Sequence, residues 1–342
     1  MTEQHALPTV LVVSLGGTIA MTPSKEDDGA ARPTLTAEDL LQAVPQLSDI
    51  HATVTTWTFA NKPGASLSID DLADLADQLR AMDADGAFDG VVVTQGTDTL
   101  EETAYLLSLL YEGQAPLVVT GAMRASHLAG ADGPANVLAA VTIAVSPRAR
   151  GLGVLVVFND QVFEAARIRK THSTSTGAFA APDTGPLGVV VEGNLRLLVT
   201  PAHKPLPLAA AMTQPARVGL YVATLGDDGS LLAPLLEQVD GMVIATFGVG
   251  HVPDSWTPLL EGAAQRIPIV FASRTGGGST LTGMYGFPGS EKTLLAAGLI
   301  GAGHLDAYKA RILLTVLLRC GRDRDEIRRT FAPAGTTAEG RG

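Results

Sequence analysis

The chain has 342 residues, enough for about two domains at roughly 150 residues each. Hydrophobic residues make up 46% and charged residues 17%, so the chain can bury a sizeable core and does not belong to the disordered class. Its 24 basic and 35 acidic residues leave a net charge of −11, and no basic run interrupts the sequence. Nucleic acid is therefore excluded as an expected partner. The single cysteine, Cys320, excludes an internal disulfide framework and a zinc site made of several cysteines.

The amino-terminal region predicts a cytoplasmic protein that does not associate with membranes. The stretch Thr9–Ala20 is apolar, but it is too short for a membrane span and contains Gly16-Gly17. No basic start precedes a long apolar run with a small-residue cleavage site, so we expect no secretory signal. We interpret Thr9–Ala20 as a core strand followed by a turn.

The first half of the chain alternates short apolar runs with helical patterns. Short runs that are apolar throughout predict buried parallel strands. Longer stretches with apolar residues at steps of three and four predict helices, and Ser68 with Asp71 forms a predicted capping box before the first of them. In chain order these elements are the strand Thr9–Ser14, the helix Asp70–Met82, the strand Gly90–Thr94, the helix Leu100–Tyr111, the strand Leu117–Thr120, the helix Pro134–Val145 and the strand Gly153–Phe158.

A second alternating series follows a proline-rich stretch. Residues Gly185–Thr200 predict a hairpin with Gly193-Asn194 as its turn. Pro201–Pro215 holds four prolines and no sustained periodicity, which is typical of a linker. The later elements are the strand Val218–Thr224, the helix Leu231–Gln238, the strand Gly241–Phe247, the helix Trp256–Gln265, the strand Pro268–Ala272 and the helix Asp306–Cys320.

This alternation predicts the α/β class, with two α/β domains whose mainly parallel sheets are flanked by helices. The first domain is expected at residues 1–200 and the second at 216–335, with residues 201–215 as the linker. Residues 336–342 are small and polar, and they predict a flexible tail.

Polar, glycine-rich segments follow successive predicted strands. They include Leu15–Ala20, Gln95–Thr99 and Gly121–Arg124. Ligands of open α/β sheets bind outside the carboxyl ends of the strands, so these loops predict a ligand site. Taken singly, the residues have simpler explanations, because a threonine or aspartate before a helix is usually its cap. A lysine among arginines, such as Lys170, is usually part of a solvated face.

Three common kinds of site have no support in the sequence. The two glycines after the first strand are adjacent and do not form G-x-G-x-x-G, which argues against a dinucleotide site. The chain has no G-x-S-x-G elbow of an α/β-hydrolase. Its seven histidines include no H-E-x-x-H and no close pair, so we expect no catalytic metal.

Two long segments resemble the signatures of the bacterial L-asparaginase/glutaminase family. Leu11–Ala20 reads LVVSLGGTIA and resembles the first signature, usually T-G-G-T-I-A. Val93–Tyr105 reads VTQGTDTLEETAY and is similar to the second, G-T-D-T-x-E-E-T-A. The resemblance extends to about Phe331, and the further segments that agree with it are Gly121–Val141, Val154–Asp160, Gly248–Gly250 and Tyr285–Glu291.

The resemblance implies hydrolysis of L-asparagine to L-aspartate and ammonia, with side activity on L-glutamine and without a cofactor. It also implies the family's two α/β domains and its assembly as a homodimer or homotetramer, in which a neighbouring subunit completes the site. Thr18 matches the family's nucleophile, and Lys170 matches the lysine of its Thr–Lys–Asp group. The implied catalytic residues are Thr18, Thr97, Asp98 and Lys170, and the implied substrate-binding residues are Ser66, Gly96, Thr97, Asp98 and Ala122.

The sequence also departs from the family pattern. Many members have a tyrosine in the loop after the nucleophile, but Met21–Leu35 contains none. The acid that supports this tyrosine has no counterpart in Arg274–Tyr285, so the group that deprotonates Thr18 is unassigned. His251 stands where an asparagine often follows GVG. Met21–Leu35 includes the charged run Lys25–Asp28 shortly after the nucleophile's turn and predicts a lid, with an ordinary surface loop as the alternative.

Two other functions stay open at this point. A non-catalytic amino-acid-binding protein of the same fold is favoured by the missing tyrosine and acid. An ammonia-supplying amidotransferase subunit usually carries an added amino-terminal domain, whereas the first signature here begins within twenty residues of Met1. The preference between asparagine and glutamine also stays open, since one methylene is worth only about 1–3 kcal/mol in a pocket.

Overall fold

The computed structural model describes residues 7–17, 19, 21–23, 31–33, 36–199, 208 and 211–335. The chain divides into two compact units, Met1–Ala209 and Ala210–Gly342. Several predictions fall outside the described residues. They concern Thr18, most of the predicted lid (24–30 and 34–35), most of the first part of the linker (201–207 and 209–210) and the tail (336–342).

The first unit contains twelve described strands and four described α-helices. The helices are α1 (Ala37–Gln42), α2 (Ile69–Ala84), α3 (Leu100–Leu110) and α4 (Gly133–Ala144). The strands are β1 (Thr9–Ser14), β2 (Met21–Pro23), β3 (Ala31–Pro33), β4 (Thr53–Thr58), β5 (Gly90–Gln95), β6 (Leu117–Gly121), β7 (Val154–Phe158), β8 (Gln161–Glu164), β9 (Arg169–Lys170), β10 (Phe179–Ala180), β11 (Gly188–Val191) and β12 (Asn194–Leu197).

Eight of these strands form one mixed sheet in the order β12-β11-β8-β7-β6-β5-β1-β4. Strands β4, β1, β5, β6 and β7 run parallel, and β8, β11 and β12 continue the sheet antiparallel. The four predicted strands are confirmed as β1, β5, β6 and β7, which are buried almost throughout. Edge strand β4 was not predicted, because its threonine-rich sequence is largely exposed and lacks an apolar run.

Helix α2 follows its sequence pattern closely. The Ser68 side chain accepts a hydrogen bond from the backbone N–H of Asp71, and the Asp71 side chain accepts one from that of Ser68. This is the predicted capping box. The buried face holds Leu72, Leu75 and Leu79, with Ala76 between them. The spacing of three and four residues therefore sets both the start of α2 and the face that packs on the unit.

Two tight turns shape the antiparallel part of the sheet. Asn159 and Asp160 have φ of 52° and 59° and join β7 to β8, so this polar dipeptide is a two-residue hairpin turn. The predicted hairpin of β11 and β12 is confirmed, but its turn is Glu192-Gly193, with φ of 53° and 68°. The predicted turn at Gly193-Asn194 was one residue late. Two-residue turns of this kind need positive φ at both positions, and glutamate seldom adopts it.

The second unit has a four-stranded parallel sheet in chain order, with helices against it. Its core contains Trp256, Ile244 and Phe271. The predicted strands and helices are present, whereas the short strand β16 and the helices α7 and α9 were not predicted. The strands are β13 (Val218–Val222), β14 (Gly241–Thr246), β15 (Ile269–Ser273) and β16 (Ile300–Gly301). The helices are α5 (Leu232–Leu236), α6 (Thr257–Ala264), α7 (Glu291–Ala296), α8 (Ala307–Arg319) and α9 (Arg324–Gly335).

The predicted fold class is confirmed as two α/β units with sheets flanked by helices, although three of the seven strand pairings in the larger sheet are antiparallel. Among the helices that the structure describes, none has both the length and the hydropathy needed to cross a bilayer.

Candidate active site

Three neighbouring parallel strands of the first unit deliver the predicted loops to one edge of the sheet. In the paired register, Ser14 of β1 lies beside Thr94 of β5, and Gln95 lies beside Gly121 of β6. Because parallel strands end at the same edge, the segments that begin at Leu15, Gly96 and Ala122 are neighbours. This is the edge at which ligands of α/β sheets bind.

Glycines bring these segments into direct backbone contact. Gly16 and Gly17 have φ of 100° and 84°, in the region that favours glycine. A Cβ added to Gly17 would lie 2.0 Å from the backbone nitrogen of Gly96. A Cβ on Gly64 would lie 3.1 Å from the Gly96 carbonyl oxygen. The first signature, the second signature and the turn Gly64–Ser66 therefore pack backbone against backbone, with no room for side chains.

A lysine and two side chains of the second signature meet next to this contact. Lys170 Nζ donates hydrogen bonds to Thr97 Oγ1 and to Asp98 Oδ1, both at 3.0 Å. Thr97 is buried, the Lys170 side chain is 17% exposed, and that of Asp98 is 70% exposed. Strand β9 holds Lys170 opposite Phe179 of β10. Lys170 thus meets Thr97 and Asp98, which lie 73 and 72 positions earlier in the chain. The three side chains form one group with an amine, a hydroxyl and a carboxylate.

The other predicted site residues lie on the same segments. Gly96 directly precedes Thr97, and Ala122 is buried immediately after β6. Ser66 ends the 3₁₀ turn at Gly64–Ser66, where it is exposed. Thr18 follows Gly17 in the chain and lies outside the described residues. The structure therefore brings together Thr97, Asp98 and Lys170, and it places Ser66 on the turn that packs against Gly96.

The loop after β6 is held by a network that the sequence did not assign. Asp132 accepts hydrogen bonds from the backbone N–H groups of Met123 and Arg124, at 3.0 and 2.9 Å. The buried Asn136 donates to the carbonyl of Gly121 and accepts from the N–H of Asn159. Asp132 and Asn136 of the segment Gly121–Val141 thus hold the shape of this loop.

A second unassigned contact ties α2 to the turn after β1. The N–H of Lys62 donates to the carbonyl of Leu15 at 3.0 Å, and Lys62 Nζ lies 2.8 Å from Asp71 Oδ1. The Lys62 ammonium, together with the N–H and hydroxyl of Ser68, lowers the pKa of Asp71 to about 2. The charged form of Asp71 therefore stabilises both the helix start and the neighbouring turn.

The second unit contains a separate acid–histidine pair. Glu291 is fully buried, and its Oε2 lies 3.2 Å from His251 Nε2. Burial opposes the charged form, but hydrogen bonds from the N–H of Tyr285 and other donors bring the pKa of Glu291 below its ordinary value. The His251 ring also stands edge-on to Tyr285 and Phe287, with centroids 5.0 and 4.9 Å away. His251 was noted in the sequence only as a departure, and no sequence signal paired it with Glu291.

No group of three or more histidine, cysteine, aspartate or glutamate side chains within the described ranges is arranged to hold a metal ion.

Known proteins match the chain along most of its length. The family profile "Asparaginase, N-terminal" matches residues 9–203, and "Glutaminase/Asparaginase C-terminal domain" matches residues 217–331. A Deinococcus radiodurans protein named "Probable L-asparaginase" is 38% identical over 95% of this chain and 98% of its own length. "L-asparaginase 2" of Escherichia coli is 34% identical over 95% of this chain and 93% of its own. The crystal structure of "Probable Cytoplasmic L-asparaginase from Campylobacter jejuni" superposes with a TM-score of 0.83 at 30% identity, covering 95% of this chain and 99% of that one.

Proposed function

The chain belongs to the asparaginase family, and we propose that it hydrolyses L-asparagine to L-aspartate and ammonia without a cofactor. One observation carries the proposal: Lys170 Nζ lies 3.0 Å from both Thr97 Oγ1 and Asp98 Oδ1 at the ligand-binding edge of the sheet. Binding alone needs no amine against a buried hydroxyl, whereas hydrolysis needs groups that move protons.

The proposed reaction proceeds in two stages. Thr18 Oγ attacks the side-chain amide carbon while a base takes the hydroxyl proton. The base then delivers this proton to the amide nitrogen, so that the tetrahedral intermediate expels ammonia and leaves an acyl-enzyme ester. A water molecule then attacks the ester, and its proton passes to the Thr97–Lys170 pair, which requires Lys170 in its neutral form. As the ester bond to Thr18 breaks, Lys170 returns this proton to the threonine oxygen, and L-aspartate is released. Backbone N–H groups near Thr97 and Ala122 stabilise the oxyanion in both stages.

In this proposal the two charged groups of the substrate bind at opposite ends of the site. The largely exposed Asp98 carboxylate receives the α-ammonium of the substrate while its Oδ1 orients Lys170. Ser66 binds the α-carboxylate, and Gly96 and Ala122 line the space between them. L-Glutamine is a second, weaker substrate in this proposal, because its extra methylene moves the amide carbon away from Thr18.

We also propose that the protein is a cytoplasmic homodimer or homotetramer. The Campylobacter jejuni neighbour is named as cytoplasmic, which supports the compartment. Multi-angle light scattering tests the assembly: a mass of two or four chains is expected, and a single chain's mass would refute it.

The deciding experiment measures ammonia release from L-asparagine and L-glutamine by the purified protein and by Thr18→Ala. We expect release by the parent and a loss of at least about 10²-fold in the variant, with unchanged circular dichroism. Thr184→Ala, an exposed hydroxyl in a loop of the same unit, is the matched control and should retain activity. If neither parent nor control releases ammonia but both bind L-aspartate in calorimetry, the protein is an amino-acid-binding module. Release only when a cell extract supplies a partner would indicate an amidotransferase subunit.

A further inference from the structure

Thr99 occupies the N-cap of α3, yet its side chain does not cap the helix. A threonine at this position ordinarily accepts a hydrogen bond from a backbone N–H of the first turn. Here the Thr99 hydroxyl instead donates to the carbonyl oxygen of Gly64 at 2.9 Å, across 35 residues of sequence. This bond joins the segment that carries Thr97 to the turn that carries Ser66.

The hydroxyl of Thr99 is in turn held by Gln95. Gln95 is fully buried at the end of β5, and its Nε2 donates to the Gly96 carbonyl at 3.1 Å and reaches Thr99 Oγ1 at 3.5 Å. A carbonyl oxygen only accepts hydrogen bonds, so the amide nitrogen must face Gly96. The same nitrogen donates toward Thr99 Oγ1, so the hydroxyl proton of Thr99 points away from Gln95 and toward the Gly64 carbonyl.

The hydrogen bonds made by Thr99 and Gln95 lie where the Gly64–Ser66 turn touches the segment that begins at Gly96. A Cβ on Gly64 would lie 3.1 Å from the Gly96 oxygen and 3.4 Å from Thr99 Oγ1. The two backbones are therefore in van der Waals contact, and the hydrogen bond from Thr99 to Gly64 spans them. Within the described residues, Gln95 Oε1 has no hydrogen-bond donor, so the Gln95 amide contacts this network only through Nε2.

We propose that Gln95 and Thr99 are positioning residues that fix the distance between the Gly64–Ser66 turn and the Gly96–Asp98 segment. Neither side chain takes part in bond making. By keeping these two segments at a fixed separation, they place Ser66 and Asp98 at the distance that the substrate's α-carboxylate and α-ammonium require. The inference rests on the proposed function, in which Ser66 and Asp98 bind those two groups.

The test compares Thr99→Val with Thr99→Ser. Valine has a similar shape but removes the hydroxyl that bridges to Gly64, whose carbonyl then keeps, among the described residues, only the 3.2 Å hydrogen bond from the N–H of Leu67. Serine keeps the hydroxyl. We expect Thr99→Val to raise the KM for L-asparagine about tenfold and to change kcat less than about twofold, which is the pattern of lost ground-state binding. Thr99→Ser should restore both constants to within about twofold of the parent.

Thr142→Val is the matched control. Thr142 Oγ1 also donates to a backbone carbonyl at 2.9 Å, that of Leu138 within α4, and it is likewise partly buried. A merely structural role for Thr99 predicts a lower Tm with unchanged KM in both valine variants. Gln95→Met, which removes the amide but keeps the length of the side chain, should raise the KM in the same direction as Thr99→Val.

Failure of the inference and failure of the proposed function give different results. If the parent releases ammonia but Thr99→Val keeps the parent's KM, the positioning role is refuted and the activity stands. If the parent releases none, the proposed function fails, and L-aspartate binding measured by titration calorimetry decides the inference. In that measurement a weaker Kd for Thr99→Val than for Thr142→Val supports it, and equal values overturn it.

Discussion

Lys170 is the residue on which the proposed chemistry depends most directly. Replacing it with methionine removes the amine, and replacing it with arginine keeps the positive charge beside Asp98 but offers a group that stays protonated. If Lys170 moves a proton, both variants should lower kcat for L-asparagine by about 10²–10⁴-fold. Steady-state ammonia release at saturating substrate measures the effect.

The matched control for this pair is Lys292→Met, an exposed lysine on α7 in the second unit. It should leave kcat unchanged. A Lys170→Arg variant with nearly full activity would contradict the proton-transfer role and would leave Lys170 only as the charge partner of Asp98.

Gly17 tests whether the close backbone contact is required. Gly17→Ala would place a methyl group 2.0 Å from the Gly96 nitrogen, at a φ of 84°. Gly86 has a similar φ of 69°, but nothing lies within 4 Å of its added Cβ. Gly86→Ala should therefore cost only the backbone strain, about 1–2 kcal/mol. Gly17→Ala should lower stability further and abolish most ammonia release.

Urea unfolding of both alanine variants, followed by circular dichroism, separates strain from steric exclusion. Equal losses of stability in the two would show that the contact between Gly17 and Gly96 relaxes at little cost, contrary to the geometry.

At the scale of single residues, the family resemblance linked Thr97 and Asp98 with Lys170, which the spacing of the residues along the chain would not have done. Thr97 and Lys170 are 73 positions apart, and only the family resemblance linked them. The contact of Lys62 with Asp71 and that of His251 with Glu291 had no such link. A side-chain contact between distant segments depends on how the strands and loops pack, and local periodicity carries no information about it.

At the scale of elements, the turn between β11 and β12 makes a separate prediction. Glu192 adopts a φ of 53°, which asparagine tolerates better than glutamate. Glu192→Asn should raise the free energy of unfolding by about 0.5–1 kcal/mol. The lost ion pair with Arg196 subtracts little, because both side chains are more than half exposed.

Glu192→Ala is the control for this change, since it removes the same ion pair without relieving the backbone. It should leave the midpoint of urea unfolding unchanged or lower it slightly. If Glu192→Asn lowers the midpoint as much as Glu192→Ala, the turn does not have positive φ at residue 192.

The elements that the sequence predicted share one property, namely an apolar pattern that matches a fully buried strand or one face of a helix. Strands β1 and β5 and helix α2 have such patterns. Strand β4 has a mostly exposed, threonine-rich sequence, and β16 has only two residues. Their positions are set by pairing with a neighbouring strand, and this tertiary contact leaves little signal in the local sequence.

At the scale of the whole molecule, two carboxylates held by hydrogen bonds predict the response of stability to acid. The pKa of Asp71 is lowered to about 2, mainly by Lys62, and that of Glu291 in the second unit is also lowered. A lowered pKa in the folded state means that the unfolded chain binds more protons in acid. Both groups therefore stabilise the protein above their ordinary pKa values, near 4, and this stability is lost as the pH falls through the folded values.

Asp71→Asn and Glu164→Gln should show opposite dependence on pH. Asp71 is partly exposed, so Asp71→Asn should cost only about 1 kcal/mol at pH 7, and the difference from the parent should vanish toward pH 2. Burial raises the pKa of Glu164, so its charged form destabilises the fold above pH 4.5, and Glu164→Gln should stabilise the protein at pH 7 but not at pH 3. Urea unfolding across this range measures both. The same sign for the two variants at pH 7 would contradict the assignment, because a lysine holds the Asp71 carboxylate, whereas partial burial of Glu164 outweighs the charge of Arg167.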